Sequence, residues 1–228
     1  MNNKILAPKI TERADEILQK YNILENPYFM ALKDGSMSRD AFIHSQEQFY
    51  FAVVFFPQPM ASLIARIHEP QARINILKNL VEEHGEFQNE TFHETTFKEF
   101  LNRLGSKKND PMGADLSPAL RAFNSVLITA CTFDEIEVGI CCMGIIEYLF
   151  ADISACIGKT VVKRNWFSED QMIHYTLHEK IDKGHAQDFF TIVENKFDDK
   201  ERLYYIDQGL QLGAYIFDRL YRDMYQKI

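Results

Sequence analysis

Residues 168–197 read SEDQMIHYTLHEKIDKGHAQDFFTIVENKF, and within them residues 178–185 read HEKIDKGH. Apolar residues recur at helical intervals and Ser168 is a good N-cap, so the stretch predicts one amphipathic helix of about 28 residues. That helix carries His178, Asp182 and His185, spaced H-x-x-x-D-x-x-H. At about 100° per residue the three share a narrow stripe about two turns long. A solvated face has little need of two histidines, whereas a metal ion does. A structural histidine is the competing reading, and it weakens as ligand-type residues accumulate on one stripe.

Helical signals continue outward in both directions. Ile10 to Tyr21 reads as an amphipathic helix, and NPYFMALKDGSMS as a short one closed by the Asp34-Gly35 turn. Ser38 caps a long helix from Arg39; Pro57 and Pro59 kink or end it, and it resumes toward the Glu69-Pro70 boundary. Further helices are predicted over Gln71 to His84, Asn89 to Leu104 with Gly105 as C-cap, and Pro118 to about Cys131. Asp134 would cap another running to about Gly158, and Asp199 begins the last. GSKKNDPMGADLSP, residues 105–118, is the one clear loop. No strand-length run alternates with period two, and there is no internal repeat. The expectation is an all-α protein, residues 1–228 forming a single helical domain built as a bundle.

Composition agrees. The 228 residues are 46% apolar and 13% aromatic, with only ten glycines and seven prolines, which suits a packed core rather than a loop-rich β chain. The formal charge of −8 argues against nucleic acid as partner, because phosphate binding needs clustered Lys and Arg. The opening residues MNNKILAPKITERADEILQKY carry charges throughout, so no signal peptide is expected. The apolar run Val138 to Phe150 contains Glu147 and looks too short to span a bilayer. Cys131, Cys141, Cys142 and Cys156 form no C-x-x-C pair and are expected as reduced, mostly buried thiols of a cytoplasmic protein.

Two other segments carry chemistry. In VGICCMGIIEYLF, residues 138–150, Glu147 is the only carboxylate. Buried there, it must pair, protonate or bind a cation; a bond to a Tyr or Arg is the plain alternative. Gly139 and Gly144 would let a neighbouring helix approach. In NLVEEHGEFQNETFHETTFKEFL, residues 79–101, Glu82, Glu83, His84, Glu86, Glu90, His93 and Glu94 crowd together, and Gly85 permits a turn between Glu83 and His93. A solvated acidic face is the plain alternative here. Together the segments offer a Glu and a His, then a Glu, then His-Asp-His, from different long helices. Helical bundles build dinuclear carboxylate sites this way, and six ligands give two ions three each. Mixed nitrogen and oxygen donors without thiolate suit iron or manganese, and zinc also fits.

On NLVEEHG, GICCMGIIEYLF and HEKIDKGH, the chain resembles the haem-oxygenase-like di-metal oxidases and oxygenases, which include the CADD-like proteins. These are relatives of pyrroloquinoline-quinone synthase and the TenA thiaminases. The resemblance covers roughly residues 20–195. It implies a seven-helix haem-oxygenase-like bundle and a non-haem di-iron enzyme that activates O₂ to oxidise a small organic molecule. It also implies two iron ions, or manganese with iron, held by Glu83, His93, Glu147, His178, Asp182 and His185. CADD-like members that build an aromatic amine from their own side chains use tyrosines and a lysine, where this chain has Phe29, Ser45 and Ile157. That departure implies an external substrate. Phe51, Phe55, Phe56, Phe92 and Tyr148 are candidates for an apolar wall, and Tyr28, Tyr50 and His174 for groups supporting the ligands. A metal-independent enzyme on the same fold, with quinone-cofactor or thiaminase-like chemistry, and a helical protein-interaction module are the competing functions. Neither nucleic acid nor membrane is expected as partner, and a homodimer stays open.

Overall fold

A computed structural model describes residues 5–108, 116–168 and 171–226. Every regular element among them is helical: α1 (Pro8–Tyr21), α2 (Pro27–Asp34), α3 (Arg39–Phe55), α4 (Pro57–Arg66), α5 (Pro70–Glu83), α6 (His93–Leu104), α7 (Pro118–Thr132), α8 (Ile136–Lys163), α9 (Ile173–Val193) and α10 (Lys200–Gln226). Phe56 keeps helical dihedrals, so α3 and α4 form one rod over Arg39–Arg66, with Pro57 at the first turn of its second half. The described residues thus form nine rods, not seven.

Local chemistry explains most boundaries. Asn26, Ser38 and Ser117 accept hydrogen bonds from Tyr28 N, Ala41 N and Leu120 N, starting α2, α3 and α7. Asp199 Oδ1 does the same for α10, accepting from Glu201 N and Arg202 N. Three expectations shift. Glu135, not Asp134, precedes α8, which runs past Gly158 to Lys163. α9 begins at Ile173 rather than Ser168; Ser168 N instead donates to Gln171 Oε1. The stretch from Asn89 is a 3₁₀ turn, and α6 starts only at His93. Residues 109–115 of the expected loop lie outside the described residues.

α8 is the axis of the fold. α9 and α10 pack along it, and α7, α4 and α2 close around it. α9 seats a ring directly on the α8 backbone: a Cβ on Gly144 would lie 2.6 Å from Phe190 Cε1. At Gly139 a Cβ would lie 2.8 Å from Ala130 O of α7. The apolar run at 138–150 belongs to a 28-residue helix, which by length and composition could cross a bilayer, as could Arg39–Arg66. The run is therefore not too short; most of the apolar part of α8 is buried inside the fold. Cys131, Cys141 and Cys142 are buried free thiols, and Cys156 is partly buried.

Candidate metal centre

Four helices deliver the expected ligands to one place. Glu147 projects from the middle of α8, and His178, Asp182 and His185 from the facing stripe of α9. Glu83 is the last residue of α5 and His93 the first of α6. Between them Gly85, Glu86 and Phe87 all have positive φ, at 54°, 52° and 68°, which reverses the chain and sets Glu83 Oε2 3.0 Å from His93 Nδ1. A Cβ at Gly85 would lie 2.4 Å from Thr91 Oγ1, so this turn requires glycine.

The six side chains are at most 7% exposed. Glu147, Asp182 and His185 form the tightest group, with one ligand atom of each within 4.8 Å of the others. His185 Nδ1 lies 3.7 Å from Glu147 Oε2 and 3.8 Å from Asp182 Oδ1. His178 Nδ1 bonds Asp182 Oδ1 at 2.8 Å, and the His93 and His178 rings are 4.7 Å apart between centroids. Glu83, His93 and His178 therefore make a second, looser group against the first.

The plain alternatives fare differently. No Tyr or Arg bonds Glu147; its Oε1 is buried without a partner, and burial pushes its pKa up to about 7. Glu86, Glu90 and His84 are the solvated face, exposed and turned away. Glu94 pairs with Lys98 and Tyr50. His178 is no satisfied structural imidazole, because its Nε2 has no partner.

Electrostatics fit a cation. His93 Nδ1, His178 Nε2, His185 Nδ1, Glu147 Oε1 and Asp182 Oδ2 are all sealed from solvent with no hydrogen-bond partner among the described residues, His93 Nδ1 having only its ion-pair contact with Glu83. Each such group costs about 1–3 kcal/mol if left so, and five in one small volume is a standing demand for a shared partner. Burial pulls the His178 pKa down to about 3, leaving the ring neutral and its nitrogen free to ligate. Burial also pushes Asp182 well above the carboxylate range, although His185 opposes it. Burial alone would lower His185, but Glu147 and Glu82 outweigh it and hold the ring up at about 11. Glu83 would likewise be raised by burial, yet His93 beside it keeps it below its ordinary value.

The residues around the six differ in part from expectation. Glu82, 42% exposed, accepts from His185 Nε2 at 2.9 Å and so orients that ring with Nδ1 inward. His174 is buried one turn before His178, with ring centroids 4.4 Å apart. Tyr50 instead bonds Glu94, and Tyr28 bonds Ser45 and Gln46. A cavity of about 50 Å³ borders Glu83, Glu147 and His178, walled by Phe49, Phe56, Phe123, Phe150 and Phe217. Of the expected wall only Phe56 lines it. Phe92 lines a second recess of about 130 Å³ beside His93, Phe51 packs on Tyr50, and Tyr148 packs on Phe190. Phe150 was open to discovery, since it lies three residues after Glu147 on the same helix face.

An all-helical bundle with one buried carboxylate–histidine centre drawn from four helices defines the class: a haem-oxygenase-like fold. A solved structure described as having a heme oxygenase-like fold, from Shewanella denitrificans, superposes with TM-score 0.71 at 14% identity, covering 96% of this chain and 90% of its own. A CADD-like protein of unknown function from Nostoc punctiforme gives 0.75 at 16% identity, covering 96% and 97%. In sequence, a 4-aminobenzoate synthase of Chlamydia muridarum is 21% identical over 196 residues, 84% of this chain and 80% of its own. Residues 44–212 match the family of iron-containing redox enzymes, and the chain belongs to that family.

Proposed function

We propose that this protein is a non-haem di-iron oxidase or oxygenase that oxidises a small organic molecule, its ions held by Glu83, His93, Glu147, His178, Asp182 and His185. The observation that carries this is the convergence of these side chains in a dry interior with five unpartnered polar atoms among them. When bound, two ferrous ions supply the electrons for O₂ reduction. The chain's own part is positional. Glu82 fixes the His185 ring, Asp182 Oδ1 fixes His178, and the 85–87 turn holds Glu83 against His93. Phe49, Phe56, Phe150 and Phe217 exclude water from the side where Glu83, Glu147 and His178 face the cavity.

The substrate is a separate molecule on this proposal. Phe29 and Ile157 are fully buried and Ser45 is bonded within the core, and none offers a phenol or amine at those positions. A second reading is formation of 4-aminobenzoate, as in the name of the chlamydial relative, and buried Tyr28 beside Phe29 favours it. Mass spectrometry of the iron-loaded protein before and after O₂ exposure tests both. An unchanged protein mass supports the external substrate. A loss matching a tyrosine side-chain fragment supports the second reading.

A further inference from the structure

We propose that His174 is a seventh protein ligand, completing a nitrogen-rich ion position with His93, His178 and Glu83 beside an oxygen-rich one made by Glu147, Asp182 and His185. The inference rests on the di-iron reading above and adds a residue to it.

Hydrogen bonding around Thr96 fits one tautomer of His174. Thr96 Oγ1 donates its only proton to His93 O at 3.1 Å. Toward His174 Nδ1, 3.4 Å away, that oxygen then faces with its lone pair, which fits the tautomer with the ring proton on Nδ1. In that tautomer Nε2 is a bare lone pair, and it is sealed from solvent and without a partner among the described residues. His178 is set the same way: Nδ1 donates to Asp182 Oδ1 and Nε2 is bare. An imidazole whose far nitrogen donates to an oxygen while its near nitrogen stays free is the arrangement metal-binding histidines adopt.

The spacing of the rings agrees. Centroids lie 4.4 Å apart for His174–His178, 4.7 Å for His93–His178 and 6.0 Å for His93–His174. Imidazoles sharing one ion at about 2.0–2.1 Å per nitrogen place their centroids about 4.4–6 Å apart over ordinary ligand angles. Three rings at that centroid spacing, each with an unpartnered nitrogen, and Glu83 3.0 Å from His93 Nδ1 suit one ion and its counter-charge. On α9 the stripe then reads His174, His178, Asp182, His185, four ligand-type residues in sequence along one face.

The test is Co²⁺ titration of chelator-treated, full-length protein, followed by visible absorption and by proton NMR of the hyperfine-shifted imidazole N–H signals. Wild type should take two Co²⁺ and show four such signals, from His93, His174, His178 and His185. His174→Leu should lose one signal and weaken one of the two binding steps by about tenfold or more, beyond the scale of most outer partners. Its metal-free form should melt no lower than wild type, because an unpartnered buried nitrogen has gone. His174→Gln serves if the leucine variant does not fold, and the wild-type count decides alone if neither does. Three signals in wild type, or equal affinities in wild type and His174→Leu, would overturn the His174 assignment with the di-metal reading intact. No Co²⁺ binding by folded wild type would overturn both.

Discussion

His178, Asp182 and His185 could be found from spacing alone, because a period of 3.6 makes a three-residue stripe visible in one dimension. Glu147 could be found because a single carboxylate interrupts an apolar run. Which of Glu82 and Glu83 faces inward could not, since adjacent residues differ by about 100° and only the end of α5 decides. The structure buries Glu83 and leaves Glu82 at the rim, bonded to His185. Glu147 makes the sharpest test at this scale. Its Oε1 has no partner among the described residues and its Oε2 meets only the His185 ring, at 3.7 Å, so the carboxylate does little for the metal-free fold. We expect Glu147→Gln to keep its metal-free melting temperature within about 3 °C of wild type. Iron uptake, read by metal analysis after anaerobic loading, should fall at least about tenfold. Uptake equal to wild type would remove Glu147 from the centre.

At the scale of elements, the helices were readable from caps and periodicity, and the joints between them were not. The turn from α5 to α6 shows why. Three successive residues with positive φ, two of them not glycine, have no reliable local signature, so residues 89–92 resemble a helical first turn when read alone. This joint is also what pairs Glu83 with His93. Gly85→Ala meets both a strained φ and a 2.4 Å contact with Thr91 Oγ1. It should cost about 1–3 kcal/mol of stability in urea titrations and weaken uptake of one iron. Full stability together with full uptake would show that the turn does not hold the pair. The aromatic cavity wall eluded sequence reading for a related reason. Phe49, Phe123 and Phe217 come from α3, α7 and α10, and only the packing of three helices brings them together.

Across the whole molecule, the all-helical class followed from the absence of any alternating run and from the long apolar α8. The count of rods did not, because whether a proline junction such as Phe56–Pro57 breaks a helix or continues it depends on packing, and here it continues. Distant elements are tied by a buried carboxylate outside the candidate centre. Glu137, 1% exposed in the first turn of α8, pairs with Lys196 at 2.9 Å and Arg202 at 3.5 Å, joining α8 to the α9–α10 connection. Burial alone would raise its pKa, but Lys196 and Arg202 outweigh burial and lower it below the ordinary carboxylate value. With the folded pKa below the unfolded one, its contribution is fully present above about pH 4.3 and fades as pH falls through the folded value. Glu137→Gln should therefore cost about 1–3 kcal/mol near neutral pH, discounted because both cations stay part-exposed. The deficit should shrink in urea titrations run near pH 3; a deficit independent of pH would assign it to packing instead.

The central claim is that the α9 stripe holds metal, and iron analysis of chelator-treated protein reloaded anaerobically with Fe²⁺ tests it most directly. Wild type, His178→Ala, His185→Ala and a control at the exposed His68 are compared, each checked for folding. We expect about two irons per chain in wild type and His68→Ala, and a loss of at least one in each stripe variant. Folded wild type without iron, or both stripe variants retaining the wild-type content, would contradict the assignment.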